Sequence, residues 1–147
     1  MLITMYYITK ISDNNYEYIL EGKIMIKKID KLTIFVSSQE EAKKFWIEKL
    51  GFAVMFEQEI APGMRWLEVA PKGDSNTTLV IYSKEMMLKQ NPSTVNHPLI
   101  MFKSDNPEKD WQQLKDNGVE ITAIEKMPYR TMFSFKDNDG NSYMIKD

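Results

Sequence analysis

The sequence predicts an α+β fold made of two tandem βαβββ units, and three observations carry that prediction. The first is self-similarity at an offset of 67 residues, where Phe35 falls on Phe102, Ser37 on Ser104, Glu41 on Glu108, Gly51 on Gly118 and Gly73 on Gly140. A fixed-period match with glycines in register marks a duplicated supersecondary unit. The second is order. In each copy a short apolar run precedes one segment of helical periodicity, and three more short runs follow, separated by turn residues. The third is size, since 147 residues suit one domain with a full core.

The elements follow in turn. Tyr6 to Ile11, a turn over Ser12–Asn15 and Tyr16 to Leu20 have a hairpin pattern. Residues 1–28 are therefore either an accessory hairpin or a loosely ordered extension, with Met25 an alternative translation start. The expected domain spans 29–147, with a first unit at 29–83, a linker at 84–97 and a second unit at 98–147. Asp30 to Val36 is β-branched and apolar enough for a buried strand. Ser38 and Glu41 have capping-box spacing, and Ala42, Phe45, Trp46 and Leu50 fall on one helical face that Gly51 ends. Phe52 to Glu59, Met64 to Val69 and Thr77 to Tyr82 read as strands, separated by Gly63 and by the turn over Pro71–Asn76.

The linker has room for a helical turn around Met86 and Met87, which Pro92 limits. In the second unit Leu99 to Lys103 is the first strand and Pro107 to Asn117 the helix, with Pro107 in its first turn and Trp111 and Leu114 facing inward. Strands follow near Val119–Ile124, Arg130–Lys136 and Ser142–Lys146, with a tight turn at Asp137–Gly140.

Composition excludes several classes of function. Hydrophobic content of 43% and charged content of 27% are those of a globular domain. A net charge of −2 gives no basic excess for nucleic acid. The chain has no cysteine, which rules out disulfides, thiolate metal sites and a cysteine nucleophile and fits the cytoplasm. No apolar run reaches the roughly 18–20 residues of a membrane span, and the first ten residues make a poor secretory signal. Glycine-rich phosphate loops, nucleophile elbows and zinc motifs are absent from the sequence.

Four segments add a resemblance: Phe45-Trp-Ile-Glu-Lys-Leu-Gly-Phe52, Arg65-Trp-Leu-Glu-Val-Ala-Pro71, Met127-Pro-Tyr-Arg-Thr131 and Asp137-Asn-Asp-Gly-Asn141. In that order, and with the internal repeat, residues 29–147 resemble the vicinal oxygen chelate superfamily of glyoxalases, extradiol dioxygenases and bleomycin-resistance proteins. The last segment is similar to that family's Asp-Pro-Asp-Gly-Asn turn, with Asn138 in place of proline. The resemblance implies that the two units roll into a half-open mixed β-sheet cup with flanking helices. It also implies that metal-dependent members bind a divalent ion from the first and fourth strands of each unit.

Carried over, those ligand positions are Lys31, Val80, Pro98 and Met144. An ammonium repels a cation, valine and proline offer no side-chain donor, and a thioether is a poor ligand for hard ions. The expectation is therefore no metal and no cofactor. His97, the single histidine, stands one place before the expected position. It reads either as a surface residue or, in shifted register, as a ligand or general base. Lys31 reads as a solvated strand-end lysine beside Lys27 and Lys28, or as a cleft lysine of lowered pKa. Glu68 reads as a wet-face glutamate or as a base. Arg130 reads as a structural ion-pair or hydrogen-bonding residue.

Strand alternation puts Lys31, Thr33 and Phe35 on one face, and at the same offset Pro98, Ile100 and Phe102. With Trp66, Glu68, Tyr82, Phe133 and Met144 these form the expected ligand-binding set, either an apolar pocket or a filled core. Met101, Met132 and Met144 would make such a pocket adaptable. The leading expectation is non-catalytic binding of a small apolar or aromatic molecule, with a homodimer implied by the resemblance. The alternatives are a divergent metal-dependent lyase, isomerase or dioxygenase built on His97 and Glu68, and an interaction domain with a filled cup.

Overall fold

The computed structural model describes residues 6–12, 15–20, 26–73 and 76–147. The centre of the first expected turn, Met25 and part of the Pro71–Asn76 turn lie outside the described residues. At the N-terminal end β1 (Tyr6–Ser12) pairs with β2 (Asn15–Leu20) as an antiparallel ladder.

The first unit runs β3 (Lys31–Val36), α1 (Gln39–Lys44), a π-helical turn (Phe45–Lys49), β4 (Ala53–Ala61), β5 (Met64–Ala70) and β6 (Thr78–Ser83). After α2 (Lys84–Gln90) and a 3₁₀ turn (Pro92–Thr94), the second runs β7 (Met101–Lys103), α3 (Pro107–Asp116), β8 (Glu125–Met127), β9 (Arg130–Lys136) and β10 (Ser142–Lys146). Each unit makes one mixed four-stranded sheet of the same topology, β3-β6-β5-β4 and β7-β10-β9-β8. In both, the first strand lies parallel to the fourth and the remaining pairs are antiparallel. This is the predicted α+β architecture of two βαβββ units, and no closed barrel forms.

Local chemistry sets the boundaries. Ser38 caps α1 by accepting from the Glu41 N–H at 3.2 Å, and Asn106 caps α3 by accepting from Lys109 at 3.0 Å. Gly51 and Gly118 leave the two helices at φ of +73° and +74°, a geometry that penalises a β-carbon. The linker forms more helix than one turn, because Ser83 caps α2 through the Met86 N–H at 3.3 Å.

One core joins the units. Ile34, Val36, Leu67, Val69, Leu79 and Ile81 of the first sheet share it with Ile100, Phe133, Phe135, Tyr143 and Ile145 of the second, and with Ala42, Trp46 and Leu114 of the helices. Trp46 is fully buried at the centre, its ring 4.9 Å from that of Phe52, 5.0 Å from Tyr143 and 6.0 Å from Phe102. Its indole N–H is a buried donor with no hydrogen-bond acceptor among the described residues, and it is surrounded instead by aromatic rings. Both sheets therefore turn one face inward to the same helices. Their outer faces point away from that core.

The helices also break the repeat. Phe52 donates its N–H to the Trp46 carbonyl at 2.9 Å, whereas Val119 donates to Leu114 at 3.0 Å, one residue less. The π-helical turn inserts that extra residue, as π-bulges do. Before it, equivalent residues are 68 apart, since the caps are Ser38 and Asn106 and the inner-face strand residues that pair with Ile81 and Ile145 are Ile34 and Phe102. Directly after it, at Gly51 and Gly118, they are 67 apart. A shift of one residue reverses a strand's faces.

Two expectations are corrected here. Ile100 and Phe102 lie with Phe133 in the core, away from Phe35, and the residue equivalent to Lys31 is Leu99 rather than Pro98. The strand expected at Val119–Ile124 is only an isolated bridge from Ile121 to Phe135, and the ladder strand follows at Glu125–Met127.

Candidate functional site

The outer face of the first sheet collects most of the expected site. Register places Lys31 beside Thr78, Thr33 beside Val80 and Phe35 beside Tyr82 on parallel strands, with Glu68 opposite Val80 on β5. At its base the Lys31 ammonium lies 2.8 Å from a Glu68 carboxylate oxygen. Glu68 also accepts from the Trp66 indole N–H at 2.7 Å and the Thr78 hydroxyl at 3.0 Å. A buried carboxylate needs such partners, and this one is only 7% exposed.

Burial alone would raise the Glu68 pKa, but hydrogen bonds from Lys31, Trp66 and Thr78, with the Lys31 charge, hold it below the ordinary carboxylate value. The Glu68 hydrogen bond in turn raises Lys31, against a smaller opposing effect of burial and with help from the Glu68 and Asp30 charges. The shift is opposite in direction to that of a cleft lysine of lowered pKa. Lys31 is a fixed cation, paired with Glu68 and also 3.6 Å from an Asp30 carboxylate oxygen, with 37% of its side chain exposed. Glu68, with three donors upon it, is poorly placed to serve as a base.

Above this pair lie the rings. Trp66 and Tyr82 meet edge to face at 6.3 Å, and the Tyr82 hydroxyl donates to Gln90 of α2 at 3.3 Å. α2 thus packs against one end of the face, over β3 and β6.

The second sheet's outer face is different. Leu99 and Met101 are exposed beside half-buried Met132 and Met144, and Met127 joins them from β8. It is an apolar, adaptable surface with four methionines. His97 stands apart from both groups: its Nε2 is 3.0 Å from the Ser142 carbonyl oxygen, and its ring packs edge-on to Tyr143 at 4.9 Å. Among the described residues no three His, Cys, Asp or Glu side chains gather where they could hold a metal ion. Arg130 is exposed, and its guanidinium makes no ion pair among the described residues, contrary to expectation.

Of the expected set, Lys31, Thr33, Phe35, Trp66, Glu68 and Tyr82 come together. Met144 lies on the other sheet's outer face, and Ile100, Phe102 and Phe133 lie in the core. Sequence reasoning missed Thr78, Leu99 and Met127. The signal for Thr78 is its register beside Lys31, which only the pairing of β3 with β6 reveals.

Two mixed βαβββ sheets on a shared helical core define the fold class of the glyoxalases. A family model for the Glyoxalase/Bleomycin resistance protein/Dioxygenase superfamily matches residues 28–145, and the chain belongs to that superfamily. The YetH protein of Bacillus subtilis (strain 168) is 38% identical over 124 residues, covering 84% of this chain and 100% of its own. TnmS3, an antibiotic binding protein from Streptomyces sp. CB03234, superposes with a TM-score of 0.70 at 29% identity, covering 84% of this chain and 97% of that one. A superfamily member from Sphaerobacter thermophilus DSM 20745 gives a TM-score of 0.71 at 27% identity, covering 84% and 98%. No helix among the described residues is long and apolar enough to cross a membrane.

Proposed function

We propose that this protein binds a small aromatic or apolar molecule without a metal ion, as a homodimer in which the outer face of the first sheet of one copy meets that of the second sheet of its partner. The observation that carries the reading is the Lys31–Glu68 ion pair at the base of the first face. Where the resemblance places a first metal ligand, an ammonium already neutralises the buried carboxylate. Val80, Leu99 and Met144 at the other positions supply two hydrocarbons and a thioether. This donor set does not fit a divalent ion.

The similarity to TnmS3 supports binding as the role. The rings of Phe35, Trp66 and Tyr82 suit a flat ligand on one side, and the methionines of the opposed sheet adapt to the other. The exposed part of the Lys31 ammonium gives an oxygen of the ligand one charge-assisted contact.

A thermal-shift screen of aromatic antibiotics tests this, with Trp66 fluorescence as a second signal. Hits should raise Tm by mass action, and Tyr82→Ala should reduce the shift. A library without a hit, or hits indifferent to Tyr82 and Trp66, would remove the reading.

A further inference from the structure

The seam between the two units holds a separate cavity of about 260 Å³. Its apolar wall is made of core residues from both units, Phe52 from the first and Phe102, Leu114 and Ile145 from the second. None of these lies on the outer faces. A dry cavity of about 150 Å³ takes a benzene ring, so this one holds a ring with a short chain.

The polar groups at its edge favour a negative ligand. Asp110 is already committed, accepting from the Ser104 hydroxyl at 2.5 Å, while that hydroxyl accepts from the Asn106 N–H at 3.0 Å. Lys49 donates one ammonium proton to the Asn117 carbonyl at 2.8 Å, leaving two. Lys103 lies on β7, the edge strand of the second sheet. Met144 donates to Ile100, and Ser104 to Lys146, so the residues on either side of β7 turn their backbone to β10, in alternation with Met101 and Lys103. The N–H of Lys103 therefore faces the open edge, adding a donor to its ammonium. Gln113 completes the edge with an amide. Donors exceed uncommitted acceptors, and the net side-chain charge of the lining is positive.

A second observation converges on the same place. The π-helical turn, where the repeat gains one residue, ends at Lys49 with Leu50 as its C-cap, and both line the cavity. Single π-turns inside helices concentrate at functional sites.

We infer that this seam is a second binding site, for a small monocarboxylate bearing one ring or a branched alkyl group. The ring packs against Phe52 and Phe102, which meet each other edge to face at 5.7 Å, and the carboxylate meets Lys49, Lys103 and the Lys103 N–H. The site is independent of the binding proposed for the outer faces.

Titration of the full ¹⁵N-labelled chain with 3-phenylpropionate, followed by amide NMR shifts, tests it. Saturable shifts are expected at Lys49, Leu50, Phe52, Lys103 and Leu114. The uncharged analogue 3-phenyl-1-propanol should bind about tenfold more weakly, as should the acid to Lys103→Glu, because each removes a charge-assisted contact. Gln113→Trp, a change at an exposed rim position, should close the mouth and abolish the shifts while leaving the spectrum dispersed. The inference is overturned by equal affinity for acid and alcohol, by undiminished binding to Gln113→Trp, or by no saturable shift at millimolar ligand. Shifts confined to Thr33, Tyr82 and Met144 would also overturn it, and would leave the outer-face reading standing.

Discussion

Lys31 and Glu68, 37 positions apart in sequence, meet at 2.8 Å across the base of the first sheet's outer face. Two further donors, from Trp66 and Thr78, fix the carboxylate, so the lysine is presented in one place. Glu68→Gln keeps the shape but removes the charge. It should cost about 1–2 kcal/mol near neutral pH, discounted for the partly exposed lysine.

The pH dependence has a definite sign. The folded pKa of Glu68 is below its ordinary 4.5, so its contribution is complete above that value and fades as pH falls through the lower folded one. The folded pKa of Lys31 is above 10.5, so its contribution holds below that value and is lost as pH rises through the higher one. Urea unfolding of both proteins from about pH 7 to pH 3 should show their stability difference shrinking in acid. A constant difference would contradict the ion pair.

The π-helical turn gives a sharper test of the repeat. Deleting exposed Glu48 removes the extra residue and leaves Trp46 and Phe52 in the spacing of Leu114 and Val119, so melting should change little. Deleting exposed Lys115, where α3 has no residue to spare, rotates Leu114 against Val119 and should cost about 3 kcal/mol or more through core loss. Equal costs for the two deletions would mean that the turn is no insertion.

Association should depend on the methionine face. Sedimentation should give twice the chain mass of 17.3 kDa for the parent. Met101→Glu, at a half-exposed position, should leave monomer stability within about 0.5 kcal/mol but dissociate the pair by burying a charge. A monomeric parent, or a dimer unaffected by the change, would count against the shared face.

Much of this was legible in the sequence, and the failures share a cause. Alternation within one strand is a local property, so Lys31, Thr33 and Phe35 fall together on the outer face as expected. Ser38 with Glu41, and the glycines at 51 and 118, likewise mark helix ends through backbone chemistry that needs no partner. Counting at a fixed offset of 67 puts Phe102 on the wrong face, because the π-helical turn adds a residue between the strands being compared. Phe45 to Lys49 is ordinary helix-forming sequence, and nothing in its composition announces a wider turn. The single bridge at Ile121 has a similar origin, since apolar alternation there reports burial rather than pairing. The direction of the Lys31 shift depends on Glu68, a contact that becomes visible only once β6 lies between β3 and β5.

The Lys31 ammonium stands where the resemblance places a first metal ligand. Elemental analysis of the protein, after dialysis against zinc, nickel, manganese and iron(II) in turn and then desalting, addresses this directly. The expected result is no retained ion alongside ligand binding that does not change with metal. One divalent ion per chain, lost in a Glu68→Gln variant, would contradict it.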